Sequence, residues 1–347
     1  MTNKLDKIFS NNKSNYCYVI AEAGLNHNGS IAIAKKLIDV AAVAGADAVK
    51  FQKRSIDRLA IKSVLDANDD RFPDFGGTYR EIREHLEFNK EQYIELKHYT
   101  ESKNLDFMVT AFDEDAVDFL LEVGVENFKL ASHSLTNYDL LKYLAKHKKP
   151  TILSTGMAEL EEIDRAVEIF TSCNSPLSLM HCVSAYPTPL GECNMQMMNN
   201  LKLRYGLATG YSGHEIGYFP SIVAAVMGAQ LIERHYTLDK TMVGFDHKMS
   251  LEPDELKLMV EDIRLVKQIQ GAGKKYVSET EWITRKKYHV SAVSSVEIAA
   301  GDELSEKHIT YRNPGTGIPR KDIHKILGRK SKERIPLDIL LSSEMFE

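Results

Sequence analysis

From Tyr16 onward the chain alternates short runs of β-branched and apolar residues with longer stretches in which apolar positions recur every three to four residues. The first pattern is that of a buried strand, the second that of an amphipathic helix. Strands are predicted over Tyr16–Ala23, Asp47–Gln52, Asp106–Ala111, Asn127–Ala131, Thr151–Ser154, Leu177–Cys182, Tyr205–Ser212 and Gln230–His235. Helical periodicity fills the intervals over Ile31–Ala44, Lys90–Lys103, Asp113–Glu122, Tyr138–Lys146, Glu159–Thr171 and Ile216–Gly228, with Pro253–Ile269 after the last strand. Eight βα units over about 250 residues predict an α/β fold, a (β/α)8 TIM barrel, whose catalytic groups gather at the C-terminal ends of the strands.

Two segments break the rhythm. Residues 54–88 after the second strand are too long for a βα loop and rich in charge, Gly and Tyr, as expected of a lid or substrate wall. Residues 184–200 after the sixth contain Pro187 and Pro189, which fix a turn that would hold Tyr186 near the mouth, while Met195, Met197 and Met198 read as packing. The barrel pattern, residues 1–270, stops near Ile269, and residues 271–287 have the Gly, Ser and charge of a linker. Residues 288–347 carry short β-like runs broken by turns and are expected to form a small β-rich domain that leans on the barrel or on a second chain.

The polar residues at the strand ends carry the candidate chemistry. In chain order they are Glu22; Lys50 with Gln52; Thr110; Lys129 with Ser132; Ser154 with Thr155; His181 with Ser184; Ser212 with His214; and Glu233 with His235. A single polar strand end commonly caps a helix. All eight ending so points to a site. His214 and His235 close two strands joined by one helix, so the crossover makes them parallel neighbours whose imidazoles could share a divalent ion as a Lewis acid. The alternative leaves His235 bonded to Glu233 and His214 in a solvated loop. Lys50 and Lys129, with the hydroxyls of Thr110, Ser132, Ser154 and Ser212, would cradle a small phosphorylated acid, and Glu22 would move a proton. Lys129 has a rival role as a Schiff-base lysine.

At 43% hydrophobic and 27% charged residues, the 347-residue chain has the balance of a globular protein. Its net charge of −5 argues against a nucleic-acid or anionic-membrane partner and for a small ligand in a local pocket. Four cysteines without metal spacing suggest reduced thiols in the cytoplasm, and no run suits a signal peptide or membrane span.

The stretches AEAGLNHNGS, KFQ, FKLAS, ILSTGMAEL, LMHCVSAYPTP, GYSGHE, LIERHYTLD and FDHKMSLEP resemble, in order, the motifs of the sialic acid synthase family, which makes nine-carbon nonulosonic acids. The tail from about Tyr288, with NPGTGI, is similar to that family's antifreeze-like SAF domain of β-clip type. The resemblance implies a transferase that condenses phosphoenolpyruvate with the open-chain aldehyde of an N-acetylated amino sugar and releases phosphate. By it His214 and His235 would ligate a divalent metal, usually Mn2+, with Mg2+ or Co2+ as alternatives. Glu22 would be the acid/base. Lys50, Thr110, Lys129, Ser132, Ser154 and Ser212 would contact phosphoenolpyruvate; Gln52, Tyr186 and Asp246 would lie near the sugar. It also implies a domain-swapped homodimer in which the small domain of one chain covers the barrel mouth of the other.

Three departures bear on the sugar. Ser134 stands where the family's N-acetylneuraminate synthases tend to have a glutamate, Ser184 where they have an asparagine, and Asn313 where an arginine precedes PGTG, with Arg312 one step back. The first two remove hydrogen-bonding groups on the sugar side, which suggests a less hydroxylated acceptor such as a diacetamido-trideoxyhexose leading to a legionaminic- or pseudaminic-type acid. Rival readings are a Schiff-base pyruvate aldolase or lyase, and a non-catalytic sugar-binding relative, which would be expected to lack Glu22, the lysines or the histidines. His85, His98, His147, His289, His308 and His324 fall in helical or β patterns and read as surface or packing residues, whereas His181 and His247 lie close to the motifs.

Overall fold

The structure, a computed structural model, describes Leu5, Ile8, Phe9 and residues 16–347. One compact unit ends at Gly271 and a second spans Ala272–Glu347. In the first, eight parallel strands close into a barrel in sequence order: β1 (Tyr18–Gly24), β2 (Ala48–Lys53), β3 (Asp106–Ala111), β4 (Phe128–Leu130), β5 (Thr151–Ser154), β6 (Leu177–Cys182), β7 (Thr209–Gly213) and β8 (Leu231–His235). Pairing of β1 with β8, from Tyr18 opposite Leu231 to Glu22 opposite His235, shuts the barrel.

Side chains alternate across each strand, so parity decides what enters the barrel. Odd positions of β1 (Val19, Ala21, Ala23) pack outward in the large core shared with the helices, together with Val49, Phe51, Val109, Leu153, Leu179 and Ile232. The even positions Tyr18 and Ile20 join Ala48, Met108, Ile152, Met180 and Leu231 in a second apolar cluster, with Leu5 and Ile8. Continuing the inner parity upward gives Glu22, Lys50, Gln52, Thr110, Ser154, Glu233 and His235. The floor is apolar and the next layers are polar.

The helices Ile31–Ala44 and Tyr138–Lys146 match the predicted bounds, and Lys90–Ser102, Glu114–Val123, Leu160–Ser172 and Pro253–Gln270 lie close to them. Ser30 starts the first by accepting a hydrogen bond from Ile33 N, and Gly45 ends it in the left-handed region at φ 76°. Three expectations are corrected. β7 begins at Thr209 rather than Tyr205, because Gln196–Tyr205 is a helix closed by Gly206 at φ 66°. The helix expected over Ile216–Gly228 spans only Phe219–Val226, with Pro220 in its first turn, where a missing N–H is tolerated. Within the expected linker, Glu279–Tyr288 is helical and capped by Ser278, whose hydroxyl accepts from Glu281 N at 3.2 Å.

The segment after β2 forms short helices at Ile56–Leu59 and Lys62–Leu65 and a longer one at Tyr79–Leu86, started by a reciprocal Thr78–Glu81 capping box. Ile82 and Leu86 bury against Leu25, with Phe72, Phe75 and Phe245 packed around them, which pins this segment to the loop after β8. The second unit has one antiparallel pair, β9 (Ser291–Ser294) with β10 (Ile309–Arg312), over its own cluster including Ala292, Ile298, Leu304, Ile326 and Leu341. Among the described residues no helix is long and apolar enough to cross a membrane.

Candidate active site

The polar inner layers open into a cavity of about 300 Å³ at the C-terminal ends of the strands. Its walls include Glu22, Lys50, Gln52, Thr110, Lys129, Ser132, Ser154, Ser184, Tyr186, Ser212, His214, His235 and Asp246. Arg312 lies in the second unit, where it pairs with Asp338 at 2.7 Å.

On one side the two lysines are held by opposite charge and hydroxyls. Lys50 Nζ lies 2.9 Å from Glu22 Oε2 and 3.6 Å from Glu233 Oε1, and donates to Thr110 Oγ1 at 2.8 Å. Lys129 Nζ donates to Ser154 Oγ at 2.6 Å and to the Leu130 carbonyl at 3.2 Å, with Glu233 Oε2 at 3.9 Å. Ser212 Oγ donates to Glu233 Oε1 at 3.3 Å, and Gln52 Nε2 to Glu22 Oε1 at 2.6 Å. Glu233, read in the sequence only as a polar strand end, is thus the centre of the charge network.

Burial in this dry layer sets the proton affinities. The Glu22 carboxyl is pushed above its ordinary range by burial, with the charge of Glu233 adding to it and Lys50 opposing. Burial pushes Glu233 the same way, but Lys129 and Lys50 outweigh it and hold its carboxyl below that range. Burial lowers Lys129, Glu233 opposing, whereas the acids around Lys50 overcome burial and raise it.

Across the cavity the rings of His214 and His235 have centroids 5.5 Å apart. His214 Nδ1 lies 3.0 Å from the Val183 carbonyl, which only accepts, so Nδ1 carries the hydrogen and Nε2 keeps its lone pair. His235 Nδ1 is buried without a hydrogen-bond partner, with Asp246 Oδ2 at 3.7 Å. Burial lowers His235 to about 4, so its ring is neutral at neutral pH, as a ligand must be. On His214 burial is outweighed by Cys182 and the Val183 carbonyl, which raise it, so a proton would compete with an ion there. Two facing imidazoles, that of His235 neutral and carrying an orphaned buried nitrogen, fit a divalent ion. Among the described residues no group of three or more His, Cys, Asp or Glu is arranged as a metal site.

Backbone geometry lets the walls approach. A side chain at Gly24, φ 52°, would meet Gln52, Glu22 and His235 at 3.3 Å, and one at Gly156 would come within 2.4 Å of Ser184 Oγ. The Tyr186 ring lies 4.2 Å from that of His214. His181, read as the polar end of β6, has the outward parity and bonds the Cys193 carbonyl at 2.8 Å; the inner residue there is Cys182. Ser134 is buried and does not line the cavity, whereas its neighbour His133 does. Sequence reasoning missed Arg54 and Arg83 in the cavity wall, because it took the charged segment that carries them only as a lid or substrate wall and did not use the helical spacing of Ile82 and Leu86. His247 is wholly buried and bonds Thr237 Oγ1 at 2.7 Å, a supporting place behind the wall.

A profile described as the NeuB family matches residues 37–275. The chain is 36% identical to the N,N'-diacetyllegionaminic acid synthase of Legionella pneumophila, over 94% of each chain. It is 35% identical to the N-acetylneuraminate-9-phosphate synthase of Mus musculus, over 95% of this chain and 93% of that one. Among solved structures, the N-acetylneuraminic acid (sialic acid) synthetase of Leptospira borgpetersenii, in complex with citrate, superposes with a TM-score of 0.67 at 36% identity, covering 78% of this chain and 91% of that one.

Proposed function

Because the chain belongs to the NeuB family of nonulosonic acid synthases, we propose that it joins phosphoenolpyruvate to the open-chain aldehyde of an N-acetylated amino sugar, giving a nonulosonic acid of sialic, legionaminic or pseudaminic type and phosphate. The observation that carries this reading is one cavity with two buried lysines among hydroxyls on one side and two facing imidazoles on the other. That layout holds a doubly anionic three-carbon acid against a carbonyl.

Lys50 and Lys129 neutralise the phosphate and carboxylate, and Thr110, Ser132, Ser154 and Ser212 donate to their oxygens. A divalent ion on His214 and His235, Mn2+ by resemblance and Mg2+ or Co2+ otherwise, supplies a Lewis acid for the aldehyde. As C3 bonds the aldehyde carbon, the new alkoxide needs a proton. Glu22, whose proton affinity burial raises and which Gln52 aims, is placed to give one. Water then adds at C2, Glu22 takes a proton back, and the C2–O bond to phosphate breaks. In this reading Gln52, Tyr186 and Asp246 face the sugar, and Ser184 lines the same cavity. The reading includes a homodimer in which Arg312 of one chain reaches the mouth of the other. It places the enzyme in the cytoplasm, which would keep its four free cysteines reduced.

The test is phosphate release from phosphoenolpyruvate with Mn2+ and either N-acetylmannosamine or 2,4-diacetamido-2,4,6-trideoxymannose, with and without chelator. Release that needs both an acceptor and the metal is expected; release indifferent to chelator would remove the metal. A second reading, a Schiff-base pyruvate lyase, is favoured by the lowered basicity of buried Lys129. Borohydride trapping of pyruvate on Lys129 would support it, and a strict requirement for phosphoenolpyruvate would reject it.

A further inference from the structure

Beyond the first cavity lies a second of about 550 Å³, and the two share Arg54, Arg83, Phe112, His133 and Phe245 in their walls. Its remaining wall comes mainly from the segment after β2, including Arg71, Tyr79 and Asp69. The charge there is unbalanced. Asp69 is committed to Arg71 at 2.6 Å. Arg54 is 7% exposed, and its Nη1 has no hydrogen-bond partner; nor do the buried Nε and Nη1 of Arg83. Among the described residues neither arginine is in a salt bridge. Their planes rest on rings instead, Arg54 3.9 Å from the centre of Phe112 and Arg83 4.3 Å from that of Phe245. Burial pulls Arg54 down and the charge of Arg83 adds to it, while burial and Arg54 together lower His133, so the field of Arg54 is felt around it.

Buried guanidinium N–H groups without acceptors are costly unless a ligand supplies them. Arg54, Arg83 and Phe245, the chain neighbour of Asp246, line both cavities, so an acceptor whose aldehyde lies at His214 and His235 would direct its far end toward the arginines. We propose that Arg54 and Arg83 form an anion subsite for a phosphomonoester on the end of the acceptor sugar remote from its aldehyde. This rests on the synthase reading and narrows it, since a 6-deoxy acceptor has no terminal oxygen to carry the ester. It also runs against the less hydroxylated sugar suggested by Ser134 and Ser184, of which Ser134 does not border the cavity.

The test compares N-acetylmannosamine 6-phosphate, N-acetylmannosamine and 2,4-diacetamido-2,4,6-trideoxymannose on the full chain with phosphoenolpyruvate and Mn2+. The ester is expected to have a kcat/KM about tenfold to a hundredfold above the other two, the range of one or two charge-assisted hydrogen bonds. Arg83→Gln should remove that preference while changing KM for phosphoenolpyruvate less than about twofold, and Arg83→Lys should restore part of it. Equal use of ester and free sugar by the wild type, or an equal loss on both in Arg83→Gln, overturns the subsite and leaves the synthase reading standing. Calorimetric titration with the ester reads the subsite without turnover. If no sugar releases phosphate but the ester binds in an Arg83-dependent way, the subsite stands and the synthase reading falls. If inorganic phosphate alone binds as tightly and with the same dependence, the site takes free anion and the acceptor assignment is overturned.

Discussion

Glu22 and Glu233 are the same kind of group on adjacent strands, yet their neighbours set them opposite. Glu22 has its folded pKa raised, so the folded state holds its proton more tightly; its charge is a penalty that is absent below the ordinary carboxylate range and complete once the pH exceeds the folded value. Glu233 has its folded pKa lowered, so its charge stabilises at neutral pH and that contribution fades as the pH falls. Glu22→Gln is therefore expected to raise Tm at pH 8 by about 2 °C, roughly 1 kcal/mol, with the gain gone near pH 4. It should still bind phosphoenolpyruvate and lose turnover by about a hundredfold or more. Glu233→Gln should lower Tm at pH 8 by about 6–10 °C, since roughly 3 kcal/mol is lost when Lys129 and Lys50 are left short of a counter-charge. Calorimetry of both variants at both pH values decides it: shifts of the same sign would mean the two carboxylates are not differentiated. Most of these residues were legible, because a polar side chain at a strand end is visible in the sequence. Their facing was harder to read. Leu231, Glu233 and His235 share a parity, which marks Glu233 as an inner residue, and the same rule separates Cys182 from His181.

At the scale of elements, the residues that turn away from the cavity decide whether those facing it are in place. Glu215 follows His214 and Arg234 precedes His235; both are fully buried and paired with each other. Arg234 Nη2 also donates to the Glu215 and Gly217 carbonyls, each at 2.7 Å, and Tyr211 OH donates to Glu215 Oε2 at 2.9 Å. The end of β8 is thereby tied to the loop after β7. Arg234→Met should cost about 3–5 kcal/mol, because Glu215 is left buried without its partner. Adding Glu215→Gln should recover much of that in a thermal melt while Mn2+ affinity stays about tenfold weaker, as when a ligand's orienting partner is lost. A folded double variant with unchanged metal affinity would make the clamp purely structural. Strand order and most helices could be read from periodicity, because burial on one face imposes it. Tyr205 was misread because a β-favouring aromatic before an apolar run looks like a strand start, whereas Gly206 ends a helix there. The helix Glu279–Tyr288 was missed because it has no buried face to leave an apolar stripe.

At the scale of the whole molecule, the proposed homodimer makes a prediction that no single barrel would. Arg312 and Asp338 pair on an exposed surface, with side-chain exposures of 59% and 62%, so the pair is worth little and Arg312 is free to leave it for another acceptor of hydrogen bonds. If Arg312 of one chain serves the mouth of the other, a site draws Glu22 and Arg312 from different chains. Arg312→Ala is then expected to weaken acceptor use about tenfold or more while leaving phosphoenolpyruvate binding intact. Co-expression with Glu22→Gln discriminates further. A mixed dimer would hold one site with both defects and one with neither, so random pairing should restore about a quarter of wild-type activity. If both residues act within one chain, every site keeps one defect and nothing is restored beyond the activity of the two variants separately. A gain therefore requires exchange between chains, and its absence, in a preparation shown by light scattering to be dimeric, would confine each site to its own chain. The sequence could suggest this arrangement only by resemblance, since neither periodicity nor charge along one chain records which copy a residue serves.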